Sequence, residues 1–338
     1  MAKLRKTQLA RIARDLYRSA YHAHLTGRHD QRVDDEARLW EGLDPVDVIR
    51  LDPLFRRDVR WFRPRPTSIL GKIFFPQQAD GSSAVRILIH SPHGDMREKA
   101  VMNIASPETD EMALAALFVR ANDWVEPVRN AAMDRLATAI PKVDSEVLQR
   151  FVPIILERVS NWKRGGARIL DLVEARGDWS SILANTFLNE TSGPLARHLR
   201  EVLEKNTLDD QLVEFATEAR SSFVRQVAAE AVLTRRARWQ TGVDYEWIDK
   251  PMNLRRKVAV FSTRDLPTSE NDRLRVLRLA AQDKSAQVRK LAADVLIRDG
   301  LGDGEIERLL SADAAPSVRS RLEFAQRKWA EEGAAKAP

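Results

Sequence analysis

The sequence predicts an all-α fold, a right-handed superhelix of about eight stacked helical hairpins. Three observations carry this: a phrase built on arginine recurs, apolar residues follow each copy at helical spacing, and an aspartate often stands six residues ahead of the arginine. The phrase is clearest in Val128-Arg129-Asn130-Ala131-Ala132, Val224-Arg225-Gln226-Val227-Ala228 and Val288-Arg289-Lys290-Leu291-Ala292. It returns in Leu254-Arg255-Arg256-Lys257-Val258 and Val318-Arg319-Ser320-Arg321-Leu322, and in weaker form around Arg97, Arg168 and Arg197. The eight arginines are separated by 28 to 39 residues, with a mean just under 32. That period is too long for a leucine-rich repeat, too short for a propeller blade, and right for a pair of helices.

Each second helix is read from its stripe. Val224, Val227, Ala228, Ala231 and Val232 recur at i, i+3, i+4, i+7 and i+8, and so do Val288, Leu291, Ala292, Val295 and Leu296. Such a series occupies one face of a helix. First helices precede them, as in Asp209 to Ala219 with Leu212, Val213, Phe215 and Ala216, and Arg273 to Ala281 with Leu274, Leu277 and Ala280. On this reading no segment shows the sustained alternation that a strand requires.

The aspartates form a second register. Asp123, Asp249, Asp283 and Asp313 precede Arg129, Arg255, Arg289 and Arg319 by six residues each. An aspartate in that turn can cap the second helix, and it can pair with the arginine of its own or the next repeat. The expectation is a structural Asp–Arg ladder, broken in the middle because Arg97, Arg168, Arg197 and Arg225 have Ser91, Trp162, Thr191 and Ala219 at that place.

Ahead of the array, residues 4–25 read as an amphipathic helix, with Leu9, Ile12, Ala13, Leu16, Tyr17, Ala20 and Tyr21 on one face and Gly27 just past its end. The expected layout is a helical N-terminal module at 1–62 serving as cap or adaptor, a loop at 63–83, repeats over 84–332 and a disordered tail at 333–338. A solenoid needs caps to cover its end repeats.

Composition narrows the function classes. The 338 residues include no cysteine, which removes disulfides, thiolate metal sites and cysteine nucleophiles. No apolar run approaches membrane-spanning length, and no secretory signal is read at the start, so the expected location is cytoplasmic. The net charge is +6, with 42 Arg against 13 Lys. Residues 1–80 hold 16 basic and 11 acidic side chains, whereas the rest of the chain is almost neutral. A nucleic-acid groove running the whole length is therefore disfavoured.

Asp-x5-Arg, preceded by an amphipathic helix and followed by an Ala-rich one at this period, resembles the HEAT-repeat family in its short bacterial form. The resemblance covers about three-quarters of the chain. It implies an α-solenoid, and leaves function open because such arrays serve many. Catalytic constellations, phosphate loops and matched metal ligands are not found: His22 and His24 lie on different sides of one helix, and His90, His93 and Asp95 lack a matching second pair. No cofactor is expected.

Two functions are carried forward. In the first, the chain is a non-enzymatic scaffold that binds partner proteins through the solenoid surface and the basic N-terminal module. In the second, it binds nucleic acid and is related to the HEAT-like DNA alkylation-repair glycosylases, which resemble it in combining Trp and Arg on one face. The candidate contact residues are Arg56, Arg57, Arg60, Trp61, Arg63 and Arg65, the densest basic and aromatic patch, stiffened by Pro64 and Pro66, and Trp162, Lys163 and Arg164 in the array.

Overall fold

A computed structural model describes residues 44, 45, 48, 49, 52, 88–91, 93–299 and 304–335. The chain divides into two compact units, 1–182 and 183–338. The amphipathic N-terminal helix, the loop expected at 63–83 and the patch Arg56, Arg57, Arg60, Trp61, Arg63 and Arg65 lie outside the described residues.

The first unit contains α1 (Gly94–Asn103), α2 (Glu111–Arg120), α3 (Glu126–Ala139), α4 (Ser145–Arg158) and α5 (Gly166–Glu174), and α6 (Trp179–Asn189) begins in it. Local chemistry sets the boundaries. Asp110 accepts the free N–H groups of Met112 and Ala113, Asp144 accepts that of Glu146, and Pro127 sits in the first turn of α3, where no N–H is needed. The core is apolar: α2 buries Leu114, Leu117 and Phe118, and Phe118 meets Phe151 of α4 with ring centroids 5.7 Å apart. The turn before α5 lies flat on the end of α2. A Cβ on Gly165 would stand 1.9 Å from the carbonyl oxygen of Ala121, so only glycine fits there.

One part of this unit is polar and fully buried. Arg97 donates from Nε and Nη2 to Asp123 at 2.9 and 2.8 Å, Arg120 donates to Asp123 at 3.0 Å and also to Asp52, and His90 Nδ1 lies 2.7 Å from Asp52 Oδ1. Two guanidiniums and two carboxylates balance each other out of water, as buried charges must. Asp52, from the N-terminal quarter, is thus joined to Arg120 of α2 and to His90.

The second unit contains α7 (Leu195–Val202), α8 (Leu212–Glu218), α9 (Ser222–Thr234), β1 (Arg236–Asp249), β2 (Leu254–Asp265), α10 (Glu270–Ala281), α11 (Ala286–Asp299), α12 (Gly304–Ser311) and α13 (Pro316–Ala335). The helices pair as α8 with α9, α10 with α11 and α12 with α13. Successive pairs pack like on like: α8 on α10 on α12, and α9 on α11 on α13. Along α9 the predicted stripe of Val224, Val227, Ala228, Ala231 and Val232 is buried; along α11 Val288, Ala292, Val295 and Leu296 are buried but Leu291 is only half-buried. α13 reaches Ala335, inside the stretch expected as a tail.

The chain is thus mostly helical, with one departure that corrects the sequence reading. Residues 236–265, read as a helical repeat around Arg255, are an antiparallel β-hairpin. The physical reason stands in the residues themselves. Val243, Tyr245 and Trp247 alternate with Asp244 and Glu246, and Val258, Val260, Phe261 and Thr263 supply β-branched and aromatic side chains opposite. The turn at 250–253 places Asn253 at φ 53°, which asparagine tolerates, and Asp249 accepts the N–H of Met252. Asp249 and Arg255 therefore face across a turn and belong to no ladder. α9 ends at Arg235 in the left-handed region, and its carbonyl accepts the Leu266 N–H at 2.8 Å, closing the base of the hairpin.

Candidate functional site

The repeated arginines do structural work across neighbouring repeats. Five of the eight send Nη1 to the backbone carbonyl six residues back: Arg97 to Ser91, Arg129 to Asp123, Arg225 to Ala219, Arg289 to Asp283 and Arg319 to Asp313, all within 2.6–3.0 Å. A carbonyl is the partner, so the residue type at that position is irrelevant to this bond. The aspartate serves the preceding arginine instead. Asp123 receives Arg97, Asp283 receives Arg225 at 2.6 and 2.9 Å, and Asp313 receives Arg289, each as a two-pronged pair. The same carboxylates accept the N–H two residues on, from Val125, Ser285 and Ala315.

These contacts set the ionisation of the aspartates. Burial opposes the charged form of Asp283, but the Arg225 hydrogen bonds, the Ser285 N–H and the nearby Arg289 outweigh it and hold the carboxyl below its usual range. For Asp313 the hydrogen bond from Arg289 is the main cause of a shift in the same direction. Arg168 is exposed, and Arg197 lies 3.4 Å from Glu201 instead. Trp162 is half-buried; Lys163 and Arg164 are exposed beside it on the turn that Asn122 fastens through the Arg164 and Gly165 N–H groups. They form a small basic corner with one aromatic. The groups His90, His93 and Asp95 do not form a metal cluster, and none is present among the described residues.

The feature that sequence reading missed is the hairpin. It is anchored at its base: Arg264 donates to both Asp209 carboxylate oxygens at 2.8 and 2.6 Å and to the carbonyls of Leu203 and Lys205, and Ala237 and Leu266 are buried. Beyond that clamp the strands stand in solvent. Tyr245 is 54% exposed, Trp247 43% and Val243 52%, although each is a large apolar side chain.

The pairing register sorts these residues onto two faces. Cross-strand partners share a face, so Trp247 with Arg255, Tyr245 with Lys257, Val243 with Ala259, Gln240 with Phe261 and Arg238 with Thr263 lie together. The bulge at Thr241 keeps this set continuous. Asp244 with Val258 and Glu246 with Arg256 lie on the opposite face, where Arg256 and Glu246 form an ion pair. The first face therefore carries Arg238, Lys257 and Arg255 with three aromatic rings, and its one carboxylate, Asp265, sits at the base beside Arg236. The guanidinium of Arg255 stacks 4.4 Å from the Trp247 ring centroid, and that of Arg238 3.9 Å from the Phe261 ring.

At the base this face opens into a groove of about 980 Å³. Arg238, Gln240, Val243 and Phe261 line it from the hairpin; residues 193–197, Arg200 and Glu201 line it from α7 and the turn before it, and Phe223 and Glu230 from α9. Arg200 is held by Glu230 at 3.2 Å. In the sequence, the signal for this site was the alternation of Val243, Tyr245 and Trp247 with two acids. Compared with known families and with characterised proteins, the chain matches none.

Proposed function

We propose that this chain is a nucleic-acid-binding protein in which stacked helical pairs, read as a right-handed HEAT-like array, carry the β-hairpin as a contact arm. The observation behind this is the sorting of charge on the hairpin. Residues 236–265 hold seven basic and four acidic side chains. On the face with Tyr245, Trp247 and Phe261, Lys257 and Arg255 lie apart from the hairpin's Asp244 and Glu246, which are kept to the other side, while Arg238 at the base lies 4.0 Å from Glu230 of α9. A polyanion meets attraction on one face only, and rings interleaved with cations suit a ligand that offers both phosphates and bases. The near-neutral helices then act as a support, which agrees with the small excess charge outside residues 1–80.

A second reading, a scaffold for partner proteins, draws on a different observation. Each hairpin strand has one open edge, and Val258, Val260 and Leu254 are exposed as well. An extended peptide can add to such an edge.

Titrating the full chain with fluorescent oligonucleotides, duplex and single-stranded, at several salt concentrations tests the proposal. The expected result is binding whose logarithm falls linearly with the logarithm of salt, and which vanishes when residues 238–263 are replaced by a two-residue turn. Absence of binding at low salt, or undiminished binding by the shortened chain, rejects the arm as a nucleic-acid contact and favours the protein-scaffold reading.

A further inference from the structure

The exposed rings on the cationic face say which form of nucleic acid suits it. In a duplex the flat faces of the bases are stacked inside, and only phosphates, sugars and base edges meet a protein. Phosphates alone would be served by Lys257 and Arg255. They give no reason to hold Tyr245, Trp247 and Phe261 in water, where each exposed ring is unfavourable. Unpaired bases supply that reason, because their faces are free to stack on aromatic rings and on guanidinium planes.

The geometry fits a strand laid along the arm. Val243, Tyr245 and Trp247 follow one another on one face at every second residue, about 7 Å apart. Across from them stand Ala259, Lys257 and Arg255, so in the outer half of the hairpin the rings Tyr245 and Trp247 lie on one strand and the cations Lys257 and Arg255 on the other. A single strand lying between these rows would set its bases on one side and its phosphates on the other. The guanidiniums of Arg255 and Arg238 lie over the Trp247 and Phe261 rings, 4.4 and 3.9 Å from the ring centroids. The row leads from the hairpin tip toward the groove of about 980 Å³ at its base, where Arg197 and Arg200 stand at the wall paired with Glu201 and Glu230.

Resting on the nucleic-acid reading above, we infer that the hairpin is a stacking platform for single-stranded nucleic acid, with Tyr245 and Trp247 receiving bases and Lys257 and Arg255 the phosphates. An acidic protein segment is the alternative occupant: it could pair with the cations, but it would not depend on a flat ring at 247.

The test uses the full chain and three probes: a 20-residue oligothymidine, a duplex of the same length and poly-glutamate, followed by fluorescence anisotropy. Oligothymidine should bind at least about tenfold more tightly than the duplex. Tyr245→Ala with Trp247→Ala should weaken oligothymidine about tenfold or more while leaving the salt slope unchanged. Trp247→Phe, which keeps a ring, should retain most of the affinity. Arg255→Ala with Lys257→Ala should instead lower the slope by about 1.4, the share of two phosphates. All four side chains are exposed, and unchanged melting temperatures establish that the variants are folded. Equal affinity for duplex and single strand, indifference to loss of both rings, or poly-glutamate binding as tightly as oligothymidine overturns this inference while leaving a general polyanion contact standing. No oligonucleotide binding at low salt overturns both it and the reading on which it rests.

Discussion

Arg225 and Asp283 form a two-pronged ion pair at 2.6 and 2.9 Å across 58 residues of chain, whereas the equivalent pairs Arg97–Asp123 and Arg289–Asp313 span 26 and 24. The difference is about one repeat, and it is filled by the hairpin. The pair shows that α10 and α11 follow α8 and α9 as the next repeat, with the hairpin inserted between them. Both side chains are largely buried, at 13% and 9% exposure. Losing one partner leaves the other charge poorly solvated, so Arg225→Ala and Asp283→Ala should each cost about 1–3 kcal/mol. A double-mutant cycle by urea unfolding should give a coupling of about 1 kcal/mol or more; additive effects would mean that the pair does not join the repeats.

If the hairpin is an insertion, the helices should not need it. The Arg235 carbonyl and the Leu266 N–H already meet at 2.8 Å. Replacing residues 238–263 with Asn-Gly, which keeps the buried Ala237 and the Arg264 clamp, should remove the strand component of the circular dichroism spectrum. Its melting temperature should fall by no more than a few degrees. Collapse of the helical signal would mean that the hairpin is part of the core of its unit.

Arg264 fixes the arm to the body through Asp209 and two carbonyls. Arg264→Ala should cost about 1–2 kcal/mol, since bonds from a charged donor are lost at a partly exposed site. The larger effect should be on motion. Amide exchange across 236–249 and 254–265 should quicken while that of α9 and α11 is unchanged. Protection that falls equally in hairpin and helices would show that the clamp supports the whole unit rather than the arm.

Acid should act on the ladder. Asp283 and Asp313 are held below the ordinary carboxylate range in the folded chain, so the unfolded chain binds protons more readily there. Their contribution to stability is complete above the unfolded value, about 4, and is lost as pH falls through the lower folded values. Between pH 7 and pH 3 the melting temperature should drop, and in Asp283→Asn combined with Asp313→Asn it should drop less. An equal drop in both proteins would assign acid sensitivity to other carboxylates.

Helices were legible in the sequence because their signal is redundant. Period and stripe coincide at Val224–Val232, and period, stripe and the Asp283 turn coincide at Val288–Leu296, although Leu291 shows that a stripe read by spacing alone can include a position at its rim. The hairpin was not legible because it imitates a repeat. It is about one period long, and it contains Asp249 and Arg255 at the ladder spacing, although that aspartate caps a tight turn and that arginine covers a tryptophan. The decisive signal, alternation at 243–247, is only five residues long and places its apolar side chains in solvent rather than in a core. The buried polar cluster of the first unit was hidden for another reason: Arg97 and Asp123 belong to the repeat pattern, but Asp52, His90 and Arg120 do not, and they meet that pair only through folding.

That cluster should hold the most sensitive polar position of the chain. Asp123 is buried, and it receives Arg97 and Arg120, which are 1% and 0% exposed, as well as the Val125 N–H. Removing its carboxylate leaves two buried guanidiniums with less negative charge than positive and uncaps the turn before α3. Asp123→Ala should therefore cost about 3–5 kcal/mol, more than Asp283→Ala, whose partner Arg225 can still reach water. Asp123→Asn separates the two contributions: its amide oxygen can still cap Val125, but it cannot balance the arginines, so it should recover no more than about 1 kcal/mol of the loss. Urea unfolding of the three variants, with amide exchange of α1, α2 and α3 as the local readout, measures both quantities. A cost for Asp123→Ala no larger than that for Asp283→Ala would mean that the buried arginines find other anions or water in the folded chain.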